Sequence, residues 1–255
     1  MNLRIWTVVF VVTTLWIPSL ASAQNGPARF LAVQTITVVP GMLSQFEGVA
    51  TQVADAFKQT GEEPQVVNAF SAMNGRDSRT YLFVWGFDEI GEMDTWRGIP
   101  AVFAEAYGEE KAAEILLAGD QSIATNTTTI NFLQADVSSS AVSDFPEGPP
   151  RVTLIETEVD YSKHEDYMLY LSKLKEAEEA VGVSWTRRQQ VRGQLNLFSA
   201  ARLHSSMSDN APLAYNLLRE HLGPVEANAL IARQFDAVLH REIVTLMRRP
   251  DLSRP

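Results

Sequence analysis

Cysteine is absent from this 255-residue chain, which excludes disulfides, thiolate metal sites and thiol catalysis. Histidine is scarce, and no pair of histidines has a metal-ligand spacing such as His-x-x-x-His, so we expect no metal site. A glycine-rich phosphate loop, a Gly-x-Ser-x-Gly elbow and a nucleophile–base pairing are also missing from the sequence. The chain must therefore be stabilised by its hydrophobic cores, and no motif identifies a catalytic residue.

Positive charge is in deficit. The chain has 21 Lys and Arg against 31 Asp and Glu, a formal net charge of −10 at pH 7. Such a surface repels phosphate backbones, and no basic stripe with interleaved aromatic residues compensates for it. Long apolar runs are confined to the start of the sequence. We therefore expect no nucleic-acid partner, and no membrane association once the first residues are removed.

Residues 1–23 have the composition of an export signal. Arg4 is the only charged side chain before the apolar run Ile5–Leu20, and Ala21-Ser22-Ala23 forms a small-x-small cleavage site. A retained membrane anchor is the alternative, but threonines and a proline interrupt the apolar run. The sequence predicts a signal peptide over 1–23 and a protein that is periplasmic or secreted.

An internal repeat organises the remaining chain. The segment Tyr81–Gly108 has a faint copy 115 residues downstream. The matched positions, found without a gap, are Phe83 and Phe198, Asp94 and Asp209, Glu105 and Glu220, Gly108 and Gly223, and Ala112 and Ala227. The pattern indicates a duplicated protein.

Hydrophobic periodicity predicts the same order of elements in both copies: strand, helix, strand, strand, helix, strand. Asn74-Gly75 is typical of a hairpin between the second and third strands, and Gly108 and Gly223 interrupt the second helical region. This order is the split βαβ arrangement of ferredoxin-like domains. The predicted divisions are a first half over 29–135, a linker of small, polar and proline residues over 136–150, and a second half over 151–250.

The third strand of the first half, Tyr81-Leu82-Phe83-Val84-Trp85, precedes an acidic turn and Trp96. This pattern resembles the dimeric α+β barrel superfamily, over roughly 30–135 and 151–248. The resemblance implies two sheets that face each other and close a barrel, with their helices outside. Packing supports it, because a sheet with helices on one face leaves the other face bare. The predicted class is α+β, with two tandem ferredoxin-like (βαββαβ) halves whose antiparallel sheets pack face to face as a barrel.

Side-chain alternation assigns residues to the two faces of each strand. Tyr81, Phe83 and Trp85 share one side, opposite smaller apolar residues. Because an uninterrupted side of small apolar residues suits packing against helices, we predict that the aromatic side faces the barrel. The same rule places a polar set in the second half on the barrel-facing side, beside Trp185. This set is Glu156, Glu158, Arg187, Arg202 and His204.

Two candidate ligand sites follow from this assignment. Carboxylates beside Arg and His in a partly desolvated cavity have displaced pKa values, and they can bind or protonate a small ligand. The alternative is that the two glutamates only pair with the two arginines across neighbouring strands. The aromatic side suits a flat apolar ligand, with a core or interface role as its alternative. The ligand-binding candidates are Tyr81, Phe83, Trp85, Glu156, Glu158, Trp185, Arg187, Arg202 and His204.

The leading interpretation is an exported tandem α+β barrel protein that binds a small molecule or forms a homo-oligomer, without strong catalysis. The alternative is an enzyme of the same superfamily, either a cofactor-independent oxygenase acting on an aromatic substrate or a haem-binding protein. The resemblance supplies the haem option, because a histidine of the second half ligates iron in the chlorite-dismutase-like branch. His221 or His204 would take that role, but no surrounding motif supports it and we expect no cofactor. A structural interaction domain without a cavity is the third interpretation.

Overall fold

The computed structural model describes residues 28–62, 67–139, 151–204 and 212–253. The predicted signal peptide, most of the predicted linker and Asp209 of the repeat lie outside these ranges. Among the described helices, none combines the length and the apolar character that a membrane span needs.

Eight strands and six α-helices form in the order that periodicity predicts, and the second helical region of each half is split in two. The strands are β1 Phe30–Val38, β2 Asn68–Asn74, β3 Thr80–Phe87, β4 Ile123–Leu133, β5 Arg151–Val159, β6 Thr186–Arg192, β7 Leu197–His204 and β8 Val238–Arg248. The helices are α1 Leu43–Thr60, α2 Ile99–Tyr107, α3 Glu109–Ser122, α4 His164–Ala180, α5 Ala214–Leu222 and α6 Pro224–Ala237.

The strands close into one antiparallel barrel, in the order β1-β3-β2-β8-β5-β7-β6-β4 and back to β1. The first half contributes the run β4-β1-β3-β2, and the second half contributes the equivalent run β8-β5-β7-β6. The halves join where β2 pairs with β8 and where β4 pairs with β6. The chain is therefore an α+β protein, and its barrel is closed within a single chain.

The barrel interior is filled mainly by aliphatic side chains from both halves, together with the ring of Phe70. An eight-stranded barrel leaves an interior just wide enough for such side chains. The prediction that the aromatic side faces the barrel is therefore wrong: Leu82 and Val84 point inward, and Tyr81, Phe83 and Trp85 point outward beneath the helices. The inward-facing apolar residues are Leu31, Val33, Phe70, Ala72, Leu82, Val84, Val152, Leu154, Ala201, Leu203, Val244 and Leu246.

The two glycines matched by the repeat have the same structural task. Gly108 joins α2 to α3 with φ 82°, and Gly223 joins α5 to α6 with φ 83°. Residues with a Cβ rarely adopt this backbone conformation, so glycine is needed at both junctions. The alanines four residues later, Ala112 and Ala227, are both buried in the helix layer. The repeat thus records a structural unit that both halves keep.

A hairpin tip of the first half reaches into the second half at one end of the barrel. Gly75 has φ 80°, and a Cβ there would lie 2.2 Å from the carbonyl oxygen of Ile243 on β8. The next residue, Arg76, donates to Glu242 on β8, with its Nε 2.9 Å from Oε2, and also to Glu156 on β5. The close backbone approach permitted by Gly75 therefore brings an arginine between two carboxylates of the other half.

A chain shortened to end near Asp144 tests this closure. It exposes the aliphatic barrel face and leaves the edges of β2 and β4 without their partners, so we expect it to aggregate or to pair with other copies. Sedimentation of the shortened and full-length chains at matched concentration measures the effect. A well-behaved monomer of the shortened chain would contradict the claim that closure within one chain protects these surfaces.

Candidate functional site

A cavity of about 440 Å³ lies in the first half, between the outward face of the sheet and the helices α1, α2 and α3. Most of its lining is aromatic or aliphatic, and the polar residues come chiefly from β1 and β4. The lining side chains used below are Gln34, Ile36, Phe46, Ala54, Phe57, Val67, Phe83, Trp85, Trp96, Phe103, Asp120, Asn126, Thr128 and Leu252.

Aromatic rings form one wall of this cavity. Trp85 on β3 lies with its ring centroid 5.5 Å from that of Trp96, and the rings are tilted by 52°. Phe83 meets Phe46 of α1 edge to face at 6.3 Å. The indole nitrogen Nε1 of Trp85 is buried and has no hydrogen-bond partner among the described residues. The wall thus offers apolar ring surface, and one of its rings carries an unused hydrogen-bond donor that is buried.

The cavity has an open side and a closed side. At β4 and the end of α3, Asn126, Thr128 and Asp120 are exposed, and the amide of Gln34 donates to Oδ1 of Asn126 at 3.0 Å. The opposite side is buried: Val67 on the β2 side is 6 % exposed and Leu252 is 2 % exposed. A ligand would therefore enter beside the polar residues and advance between apolar side chains.

A polar cluster lies next to the closed side. The Tyr81 hydroxyl donates to Oε1 of Glu47 at 2.6 Å, and Nη1 of Arg249 donates to the same oxygen at 2.5 Å. The hydrogen bond from Arg249 holds the pKa of Glu47 below its ordinary value. Burial, followed by the hydrogen bond to Glu47, raises the pKa of Tyr81 to about 12. Both groups keep their neutral-pH charge states, so the cluster is a structural anchor.

The corresponding layer of the second half is organised around a buried ion pair. The guanidinium of Arg187 on β6 donates to both carboxylate oxygens of Glu178 on α4, and it also donates to the carbonyl of Val137 at 2.7 Å. The hydroxyl of Ser139 donates to Glu178 at 2.7 Å and accepts from the backbone N–H of Trp185 at 2.9 Å. Residues 137–139, assigned to the linker by the sequence, thus pack into the second half.

The structure separates the polar set that the sequence placed on one face. Glu156 lies on the barrel side, where burial raises its pKa despite the nearby Arg76. Glu158 shares that side of β5, and its Oε1 is 3.5 Å from Nδ2 of Asn196. Arg187 points to the helices instead, so the predicted shared face is wrong.

The partners of the glutamates also differ from the predicted ones. Arg202 and His204 lie on the helix-facing side of β7, with Phe198, whereas Glu156 and Glu158 lie on the opposite face of the neighbouring strand. Glu156 pairs with Arg76, and Arg187 pairs with Glu178. The alternative of cross-strand pairing with Arg187 and Arg202 is therefore wrong as well.

The two candidate histidines have different surroundings. His204 is 2 % exposed, with Nε2 2.8 Å from the Thr153 hydroxyl and Nδ1 3.3 Å from Nη2 of Arg151, so both ring nitrogens already have partners. His221 is on the surface of α5, with Nε2 3.9 Å from a carboxylate oxygen of Glu176. Within the described ranges no three His, Asp or Glu side chains are grouped to hold a metal ion.

Sequence reasoning missed several residues that define these sites. Arg76 follows a hairpin signal, and its ion pairs depend on barrel closure that local pattern does not reveal. Glu178 sits at an apolar position of the predicted helix, and a charge at such a position was the available signal for a buried pair. Leu252 follows the last strand and reaches the first half, which no periodicity predicts.

Breaking the buried ion pair between Glu178 and Arg187 should destabilise the protein strongly. Glu178→Ala leaves Arg187 charged and buried, so we expect the free energy of unfolding to fall by about 3–5 kcal/mol. The matched control is Glu176→Ala on the same helix, which breaks the exposed pair with Lys173 and should cost less than about 1 kcal/mol. Urea unfolding measures both, and equal small losses would show that the pair is not a main support of this layer.

Tyr81 should make stability sensitive to alkaline pH. Its contribution is complete below about pH 10, the ordinary pKa of tyrosine, and is lost as pH rises through its folded pKa of about 12, because the unfolded chain releases the proton more readily. Tyr81→Phe should therefore flatten the fall in urea midpoint between about pH 10 and about pH 12. Tyr161→Phe, at a side chain that is 76 % exposed, is the control and should leave the slope unchanged.

Comparison with known proteins adds evidence about the fold. No family model matches the sequence, and no curated protein is significantly similar to it. A candidate monooxygenase from Fusobacterium nucleatum subsp. nucleatum is similar in structure, with a TM-score of 0.54 and 11% identity over 87% of this chain and 93% of the other. An anthrone oxidase-like protein gives 0.53 and 13%, over 86% and 91%.

A mutant chlorite dismutase from Candidatus Nitrospira defluvii is also similar, with a TM-score of 0.52 and 8% identity over 88% of this chain and 93% of the other. At these identities the likeness shows the fold alone. The similarity extends over nearly the whole of each protein, so it includes both halves of the barrel and their helices. The chain therefore has the dimeric α+β barrel fold, and the resemblance inferred from the sequence is confirmed at that level.

Proposed function

We propose that this protein binds a small, planar and mainly apolar molecule in the cavity of its first half. The observation that carries the proposal is the cavity of about 440 Å³ with an aromatic wall, an open polar side and a closed apolar side. Ligand pockets of proteins span about 300–1,000 Å³ and combine apolar walls with a few polar groups, as this cavity does.

The lining favours an aromatic ligand that carries a hydrogen-bond acceptor. The faces of Trp85, Trp96 and Phe83 suit a flat ring. The buried N–H of Trp85 has no partner among the described residues, and an unsatisfied buried donor costs about 1–3 kcal/mol, so an acceptor that reaches it through a shift of the Trp85 ring is favoured. A carbonyl or ether oxygen on an aromatic system has the required chemistry.

Binding without strong catalysis fits the lining better than acid–base chemistry does. Asp120 is the one ionisable side chain among the described residues that line the cavity, and it lies on the exposed side. General acid–base catalysis needs a group within hydrogen-bond reach of the reacting proton, and the interior offers none of the usual ones. The competing proposal is a cofactor-independent oxygenase in the same cavity, favoured by the candidate monooxygenase among the structural neighbours.

We make a further proposal about how the two halves of the barrel are related. We infer that each half is a ferredoxin-like unit and that the pair arose by duplication, because the strand runs β4-β1-β3-β2 and β8-β5-β7-β6 are equivalent and Gly108 and Gly223 match.

The composition of residues 1–23 supports an exported protein that acts in the periplasm or outside the cell. Homo-oligomer formation stays a prediction, and the part of β4 before Ile130, which pairs with β1 but not with β6, is one strand edge open to a second copy.

A cavity-filling substitution tests the binding proposal. Ala54→Phe places a ring in the space beside Phe57 of α1, so we expect the affinity for 2-acetylnaphthalene to fall at least tenfold in equilibrium dialysis. The control is Ala113→Phe, which adds the same ring at an exposed position of α3 outside the cavity and should bind like the parent chain. Equal affinity in all three proteins would show that the cavity is not the binding site.

Oxygen uptake separates the two functions in the same samples. A binding protein consumes no oxygen when the bound aromatic compound is added, whereas an oxygenase does so with an oxidisable substrate such as anthrone. Uptake that Ala54→Phe abolishes and Ala113→Phe preserves would favour the oxygenase over binding alone.

A further inference from the structure

The chain returns from the second half to the first after its last strand. Beyond β8, the backbone N–H of Arg249 donates to the carbonyl of Ala69 on β2 at 2.7 Å. The N–H of Ala69 donates to the Ser253 hydroxyl at 3.0 Å, and that hydroxyl donates to the Arg249 carbonyl at 2.7 Å. Residues 249–253, called the C-terminal strap below, are thus hydrogen-bonded to the strand that borders the cavity.

A second set of contacts holds the C-terminal strap against helix α1. Nη1 of Arg249 lies 2.5 Å from Oε1 of Glu47 and 3.3 Å from the Tyr81 hydroxyl, and its Nη2 lies 2.6 Å from Oδ2 of Asp251. Charge-assisted hydrogen bonds of this kind are stronger than neutral ones and fix geometry. The strap therefore has a defined position relative to both walls of the cavity.

That position places one apolar side chain in the cavity wall. Leu252 is 2 % exposed and packs with Phe46, Ala69 and Tyr81, and it lines the cavity on its closed side. Its neighbour in the wall, Ile36, belongs to β1 of the first half. Because Leu252 forms the rest of this side, the first half does not close it alone. The second half of the chain supplies the missing part.

We infer that Leu252 is a specificity-determining residue, which sets how far an aromatic ligand extends into the cavity of the first half. The inference rests on the proposed function and names the ligand dimension that the protein selects. A ligand that enters beside Asn126 and Thr128 advances toward Leu252 and stops against its branched end. Ligands whose rings fit this depth bind, and longer ring systems collide with the side chain.

Substitution of Leu252 tests the inference with two neutral probes that differ by one fused ring, 2-acetylnaphthalene and 2-acetylanthracene. Leu252→Ala removes three carbon atoms from the wall, so we expect the affinity ratio to shift toward the longer probe by at least about tenfold, the smallest effect expected for even one methylene in an apolar pocket. Leu252→Met keeps the volume and should restore the parent ratio. Equilibrium dialysis of each probe against the full-length variants gives the ratios.

A control substitution at a second buried leucine distinguishes a loss of stability from a change in ligand selectivity. Leu230 is buried in the helix layer of the second half, so Leu230→Ala removes the same atoms away from the cavity and should lower stability without changing the ratio. A parent protein that binds both probes, with a ratio unchanged in Leu252→Ala, overturns this inference and leaves the proposed function standing. A parent protein that binds neither probe overturns both.

Discussion

The width of an eight-stranded barrel is the constraint on which the rest of this structure depends. Its interior is just wide enough for side chains to fill, and leucines, valines and alanines supply most of the apolar side chains that do so, with Phe70 the one aromatic ring of that cluster. Phe70 of β2 points inward, whereas the aromatic residues Tyr81, Phe83 and Trp85 of β3 lie on the outward face, where helices cover them. The cavity lies in this outer layer, with Trp85 and Trp96 among its lining residues.

The two halves fill the layer between the sheet and the helices with different side chains. By the offset of 121 that relates their first helices, Phe57 of the first half corresponds to Glu178 of the second. The apolar side chain borders a cavity, whereas the carboxylate is buried against Arg187 and a serine. Trp85 likewise corresponds to Ala200, by the offset of 115 that relates the third strands. The two halves have the same order of strands and helices, and these two differences between them lie beneath the helices.

Local pattern predicts much of the fold and little of the site. Periodicity identified the order of strands and helices, and the hairpin at Asn74-Gly75 and the helix junctions at Gly108 and Gly223 carry local signals of their own. The face assignment failed for Tyr81, Phe83 and Trp85 because alternation tells which residues share a side but not which side is inside. That choice depends on the diameter of the closed barrel, which is a property of both halves together.

The ion-pair partners and the cavity walls depend on contacts between residues that are far apart in the sequence. Arg76 meets Glu156 and Glu242 only after β2 has paired with β8, and no feature of the residues near Arg76 names those partners. Aromatic composition did indicate a surface for a flat ligand, although on the barrel side. Where that surface lies, and which side chains close it, required the three-dimensional structure.

The C-terminal strap also bears on the order of folding. Strands β1 to β4 and helices α1 to α3 precede residue 140, yet the wall that completes their cavity is at Leu252. Contacts between residues so far apart in the chain form late, because the loop between them must close first. A chain that has not yet folded through residue 252 therefore has no finished cavity, and closure of this wall marks the completion of the whole molecule.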